Sequence, residues 1–168
     1  MILTKSAILK EIKSKRLKVV PFNESMIGPA SIDLSLAGKI RVFKAEYSII
    51  DVSEEFDYKK ITELVDIRKG FILKPRQLVL GITKEKVTLP ENLAGLLNSR
   101  SRFARIGLMS HITAPFITPG VSNHQVLEIF NAGPHPLRLI PGTKICQLVL
   151  VRCEGKAKYS GKFKNQKL

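Results

Sequence analysis

The feature that most constrains the fold of this chain is a succession of short apolar or alternating runs separated by Gly, Pro and Asn. Runs of this length, divided by turn signals such as Pro119-Gly120 and Pro141-Gly142, are typical of β-strands. Because the strands are many and helix is scarce, we predict a mainly β fold, a distorted jelly-roll-like barrel. The predicted strands are 31–36, 40–43, 70–73, 77–83, 93–97, 109–113, 125–130, 137–140 and 144–151.

A short helix is predicted at the N-terminus, with Thr4 as its N-cap and its end near Lys15 or Arg16. Its buried face would consist of Ile8, Leu9 and Ile12, which recur at helical spacing. The polar and acidic segment 48–67 is expected to form an excursion or hairpin. No repeat or linker divides the sequence, so we expect a single domain over residues 1–168.

Residues 153–168 form a basic tail that is almost free of apolar side chains. Such a segment cannot bury enough surface to fold alone. We therefore expect a flexible tail that a ligand or a neighbour orders.

Charge is the unusual property of the composition: 28 Lys and Arg against 14 Asp and Glu give a net charge of +14. This balance favours polyanionic partners, either nucleic acid or a phosphorylated small molecule, although surface lysines often form only a solvated face. No apolar run approaches the roughly 20 residues that span a bilayer, and the N-terminus lacks a secretory signal pattern, so we expect a cytoplasmic protein without a membrane partner. Cys146 and Cys153 have no zinc-binding spacing and are expected to be free thiols.

The segment Ser99–Arg105 (SRSRFAR) concentrates three arginines and two serines between two apolar runs. Arginine and hydroxyl donors at a short helical turn suit phosphate binding. In such a turn Ser101 and Arg105 share one face, because they lie four residues apart. A solvated basic loop is the alternative.

Glu128 lies in the apolar run QVLEIFN, where alternation places it on one face with Val126 and Phe130. A buried or half-buried carboxyl there would be suited to general acid–base chemistry. The alternatives are a water-facing glutamate on an edge strand and a glutamate paired with an arginine.

Zinc-dependent nucleoside deaminases require H-x-E and P-C-x-x-C. His111, His124 and His135 are followed two residues later by Thr, Val and Leu, and no C-x-x-C occurs. The sequence therefore excludes that class, and it also lacks the Walker A pattern of phosphate-binding loops.

Seven blocks, in order along nearly the whole chain, resemble the dCTP deaminase family, which shares a fold with trimeric dUTPases. IGPASIDL resembles the family's QPASxDL, LVLGIT with VTLP resembles its strand pair, and SRSRFARIGL resembles GRSSLARLGL. SHITA resembles VHVTA, LEIFN resembles LEFYN, and PG with ICQL resembles the PGM-I-QL strand. YSGKFKNQ is similar to the tail motif Y-x-x-K-Y-x-x-Q. The resemblance implies a β-clip, dUTPase-like barrel.

The resemblance also implies a reaction: hydrolytic deamination of dCTP to dUTP and ammonia without zinc. Glu128 would shuttle the proton, and Ser101 and Arg105 would orient the attacking water and stabilise the developing charge. The implied nucleotide-contacting positions are Arg100, Arg102, His111, Ala114, Thr118, Tyr159, Lys162 and Gln166. Magnesium would enter on the triphosphate, dTTP would act as an inhibitor, and a homotrimer would place the sites between subunits.

Several positions depart from the family pattern. Arg102 replaces a serine, and Phe116, Thr118 and Val121 stand where the family has Arg, Asp and Trp. Because threonine cannot act as a carboxylate base, we predict weak or absent dUTP hydrolysis and altered sugar recognition. The alternatives are a dUTPase or bifunctional enzyme that forms dUMP, and an impaired homologue that binds nucleotide or nucleic acid.

Overall fold

The structure of the protein, a computed structural model, describes residues 1–45, 49–161 and 168. It is mainly β, as predicted. The elements are α1 (Lys5–Lys13), β1 (Lys18–Val20), β2 (Ile32–Phe43), β3 (Thr62–Asp66), β4 (Phe71–Leu73), β5 (Leu78–Thr88), β6 (Leu93–Ser99), α2 (Ser101–Ala104), β7 (Leu108–Met109), β8 (Phe116–Ile117), β9 (Ser122–Asn131), β10 (Leu137–Leu139) and β11 (Lys144–Arg152), with 3-10 turns at Glu24–Met26 and Tyr58–Lys60.

One antiparallel sheet carries most of the chain, in the order β7-β9-β5-β2-β11-β6-β8. β1 also pairs with β5 and β3 with β2, while β4 and β10 form a separate pair. Alternation along β9 buries every second side chain, Leu127 and Ile129 completely. The opposite face of β9, which carries Glu128, stays half-buried.

The strands predicted at 31–36 and 40–43 are one strand, β2. The Ala37-Gly38 turn signal forms an irregularity instead, since the register with β5 shifts between Leu36 and Ile40. β5 likewise continues past the predicted end at Thr83, because the charged Glu85 turns inward and its Oε2 accepts a 2.7 Å hydrogen bond from the Ser35 N–H.

The strand predicted at 109–113 is wrong. Only Leu108 and Met109 pair with β9, and the chain then leaves the sheet. The polar atoms of this stretch bond elsewhere: the Ser110 N–H donates to Ser99 Oγ, and Thr113 donates to Glu128. Three strands that the sequence analysis did not predict, β1, β3 and β8, are short and lie at the margins of the sheet.

Helix α1 begins after Thr4 as predicted but ends at Lys13, and the Thr4 side chain makes no capping hydrogen bond. Ile8 is fully buried, while Leu9 and Ile12 are half-buried. The same helix buries Glu11, which is 2% exposed and forms ion pairs of 3.0 Å with Arg16 and with Arg152 at the end of β11. A charged residue is tolerated there because two guanidinium groups meet it.

Candidate functional site

A cavity of about 730 Å³ opens between β5, β9 and the segment 111–118. This volume is in the range of small-molecule sites. Its lining includes five of the predicted catalytic and nucleotide-contacting residues, namely His111, Ala114, Thr118, Glu128 and Tyr159.

Glu128 lies half-buried on β9, a strand with neighbours on both sides. Its Oε2 accepts two hydrogen bonds from Thr113, one from the N–H at 2.7 Å and one from Oγ1 at 2.8 Å. Its own N–H donates to Nδ1 of His111 at 3.4 Å. Among the described residues Glu128 forms no ion pair with an arginine. At Glu128 itself β9 pairs with β5, whereas β7 pairs with β9 only at Phe130 and Asn131, and the side chain is half-buried at this position.

Glu128 is the only carboxylate among the described residues that line the cavity. The lining also includes the apolar side chains of Phe43, Leu78 and Leu80 and the ring of Tyr58. A flat, partly apolar ligand with one polar edge near Glu128 fits such a lining.

The second set of predicted catalytic residues lies elsewhere in the chain. Ser101 starts the short helix α2, and the Arg105 N–H donates to the Ser101 carbonyl at 3.1 Å, which confirms the predicted helical turn. Ser101, Arg102 and Arg105 are exposed and do not line the cavity that holds Glu128. Within one chain, therefore, Ser101 and Arg105 lie outside the cavity that contains Glu128, and the predicted catalytic residues fall into two separate groups.

Arg100 is held inside the fold rather than presented to solvent. Its guanidinium forms a 3.0 Å ion pair with Asp33 and donates to the Lys144 carbonyl at 2.8 Å. Both side chains of the ion pair are mostly buried, at 21% and 17% exposed. Arg100 thus ties the start of α2 to β2 and β11 and fixes the direction in which Ser101 leaves the sheet.

The start of the tail packs on the domain. The Ala157 N–H donates to the Glu91 carbonyl at 2.9 Å, and the Tyr159 N–H donates to the Pro119 carbonyl at 3.1 Å. Tyr159 is half-buried and lines the cavity next to the segment that carries Thr118. Lys162 and Gln166 lie outside the described residues.

The sequence analysis did not single out Thr113, although it binds Glu128 directly. It also missed a buried amide pair in the lining, in which Gln125 Nε2 donates to Asn123 Oδ1 at 2.7 Å. The signal available for this pair was the alternation along β9, which places Asn123 and Gln125 on the inward face with Leu127.

The described chain contains no group of three or more His, Cys, Asp and Glu side chains placed to hold a metal ion. Cys146 is buried and Cys153 half-buried, and both are free thiols, as predicted. No helix in the described ranges is long and apolar enough to cross a bilayer.

The fold is that of the dUTPase-like β proteins. The crystal structure of a 2′-deoxycytidine 5′-triphosphate deaminase from Agrobacterium tumefaciens superposes with a TM-score of 0.71 at 21% identity, over 89% of this chain. This chain spans about half of that longer one, 47% of its length. A dUTPase of staphylococcal phage 80alpha superposes with a TM-score of 0.52 at 16% identity.

The model of the family described as dCTP deaminase-like matches residues 2–153. Curated relatives include the "dCTP deaminase, dUMP-forming" of Mycolicibacterium vanbaalenii, 42% identical over 95% of this chain and 84% of that protein. The protein of the same name from Parafrankia is 41% identical over 99% of this chain and 87% of its own length. The chain belongs to the dCTP deaminase-like family.

Proposed function

We propose that this protein deaminates dCTP by hydrolysis. The observation that carries the proposal is Glu128, an oriented carboxylate at the wall of a cavity of nucleotide size. Family membership supplies the substrate class, and relatives at about 40% identity bear the name of this activity.

In the proposed reaction Glu128 takes a proton from water as the oxygen attacks C4 of the cytosine ring. Glu128 passes that proton to N3 of the ring, which gives a tetrahedral intermediate; it then moves the second water proton from the new hydroxyl to the amino group, the C4–N bond breaks and ammonia leaves. The water becomes the new carbonyl oxygen of uracil, so atoms and charge balance. A positioned carboxylate that acts first as base and then as acid contributes roughly 10²–10⁴-fold to a rate.

Ser101 and Arg105 are proposed to reach the reacting centre from a neighbouring subunit. This proposal is supported by their position outside the Glu128 cavity and by their exposure on one helical turn. A homotrimer with intersubunit sites brings the two halves together, Ser101 and Arg105 then stabilising the charge that develops on the attacked ring. We also propose that Arg102, Lys162 and Gln166 contact the nucleotide, as the family resemblance implies.

The end product separates two candidate functions. The names of the relatives favour dUMP, the product of a bifunctional enzyme, over the dUTP expected from the sequence. Thr118 favours dUTP, because the lining of the described cavity offers no second carboxylate to activate water against a phosphate. Deamination is common to both and is the step proposed here.

The test is incubation of the protein with dCTP and magnesium, followed by chromatographic separation of the nucleotides. Formation of dUTP supports the monofunctional reaction, and formation of dUMP alone supports the bifunctional one and overturns the reasoning from Thr118. If neither product forms and the protein binds DNA with a steep salt dependence, the nucleic-acid-binding alternative replaces deamination.

Glu128→Gln checks the assigned base. We expect kcat to fall by about 10²–10⁴-fold, because the amide cannot accept the proton, while dCTP still binds. Binding is measured by calorimetry on the same preparation. Turnover close to that of the unchanged protein would remove Glu128 from the mechanism.

The proposal extends to the conditions of the reaction. Magnesium is taken as part of the substrate, carried on the triphosphate, and no zinc is required. dTTP is proposed as an inhibitor that competes for the same site, and the cytoplasm as the place of action. Turnover measured with EDTA, with magnesium restored and with added dTTP tests the first three.

A further inference from the structure

Thr113 makes two hydrogen bonds that the proposed function does not use. Its N–H at 2.7 Å and its Oγ1 at 2.8 Å both donate to the same oxygen, Oε2 of Glu128. No other hydrogen bond of the described chain engages the carboxylate. We propose that Thr113 is a positioning residue, which fixes Glu128 by Oε2 and thereby reserves Oε1 for the reacting water.

The surroundings of Glu128 explain why its side chain needs these hydrogen bonds to stay in one rotamer. A glutamate side chain has three rotatable bonds, and holding it in one rotamer costs conformational entropy. The strand residues beside it, Leu80 across the ladder and Val126 on the same face, offer no side-chain donor. Without Thr113 the carboxylate would sample several rotamers, and only a fraction would place an oxygen against the water.

The backbone around Thr113 is fixed on both sides. Ser110 bonds to Ser99 Oγ through its N–H at 3.0 Å, and the Pro115 carbonyl accepts from the Leu97 N–H at 2.8 Å. His111 adds a third link to β9, since its Nδ1 accepts the Glu128 N–H. The donors of Thr113 are therefore anchored to the sheet that carries the carboxylate.

A packing role is not the explanation for the hydrogen bonds. Thr113 is exposed in the described chain, so replacing its hydroxyl by a methyl group leaves no void in the core. The backbone N–H survives any such replacement, whereas the Oγ1 bond is lost only where the new side chain has no hydroxyl. Thr113→Val removes the Oγ1 hydrogen bond and Thr113→Ser keeps it, so comparing the two variants isolates the effect of that one bond.

The inference rests on the proposed deamination, and the experiment begins with the unchanged protein. Steady-state turnover of dCTP is then compared among the unchanged protein, Thr113→Val and Thr113→Ser. We expect Thr113→Val to lower kcat by about tenfold, the value of one hydrogen bond to a charged group. KM should stay within about twofold, because the nucleotide itself does not depend on this hydroxyl, and Thr113→Ser should restore kcat to within about twofold.

Three results overturn the inference while deamination stands: an unchanged kcat in Thr113→Val, a rise in KM at constant kcat, or a fall in Thr113→Ser equal to that in Thr113→Val. Thermal midpoints measured in parallel identify a variant that merely fails to fold, and the serine variant then decides the question. Absence of turnover in the unchanged protein refutes the proposed function itself and removes this inference with it.

Discussion

Replacing Asn131 by alanine should destabilise the protein markedly. Asn131 is fully buried at the end of β9, and its side chain makes three hydrogen bonds. Its Nδ2 donates to the carbonyls of Leu73 at 3.1 Å and His135 at 2.8 Å, and its Oδ1 accepts from the Gly133 N–H at 3.0 Å. The side chain thus joins the end of β4 to the turn that follows β9.

The magnitude follows from those three hydrogen bonds. Each is worth about 1 kcal/mol, and the backbone groups left behind are only partly reached by water, so the free energy of unfolding should fall by about 2–3 kcal/mol. For a chain of this size that is a drop of roughly 5–10 °C in Tm. Urea unfolding and calorimetry at one fixed protein concentration measure both quantities, because assembly would make Tm depend on concentration.

Asn98→Ala is the control, since Asn98 is exposed and its side chain makes no hydrogen bond within the described chain. It should change the free energy of unfolding by less than about 0.5 kcal/mol. A loss below about 1 kcal/mol in Asn131→Ala would refute the assignment of the three hydrogen bonds. An equal fall in the free energy of unfolding in Asn131→Ala and Asn98→Ala would show that the stability lost at Asn131 does not come from its hydrogen bonds.

Two further expectations concern the backbone and the thiols. Gly107 and Gly142 both have positive φ, of 81° and 84°, but a Cβ at Gly107 would lie 2.5 Å from the backbone of Gly133, whereas one at Gly142 meets nothing within 4 Å. Gly142→Ala should therefore cost about 1 kcal/mol in urea unfolding and Gly107→Ala clearly more, and equal costs would contradict the close approach. Burial raises the pKa of Cys146 to about 12, with the charges of Glu85 and Asp33 adding to the effect. At pH 8 a thiol reagent should therefore modify Cys153 in the native protein and Cys146 only after unfolding, and two fast-reacting native thiols would contradict this burial.

The features of the site that depend on the residues of one local segment could be predicted from the sequence. Alternation in QVLEIFN was enough to place Glu128 on the half-buried face, and the structure confirms that position. The helical turn at Ser101 was predictable for the same reason, since both features are local. Thr113 was not, because its role depends on a contact between residues 15 apart, made where the chain leaves the sheet.

The predicted ends of two strands were wrong at a charged residue and at a glycine. Glu85 and Gly38 look like strand ends, yet β5 and β2 run through both positions. Glu85 is buried there because the Ser35 N–H meets its carboxylate. Local propensity carries no information about that partner, which lies 50 residues away in the sequence.

The sequence by itself determined the mainly β fold, the family resemblance and the residue types available for chemistry. Those depend on side-chain periodicity, turn residues and local order, all of which are written along the chain. Only the tertiary structure decided that Thr113 donates two hydrogen bonds to Glu128 and that Ser101 and Arg105 lie outside the cavity lined by Glu128. Contacts between distant segments depend on how the strands pair, and that pairing is settled by the packing of the whole sheet.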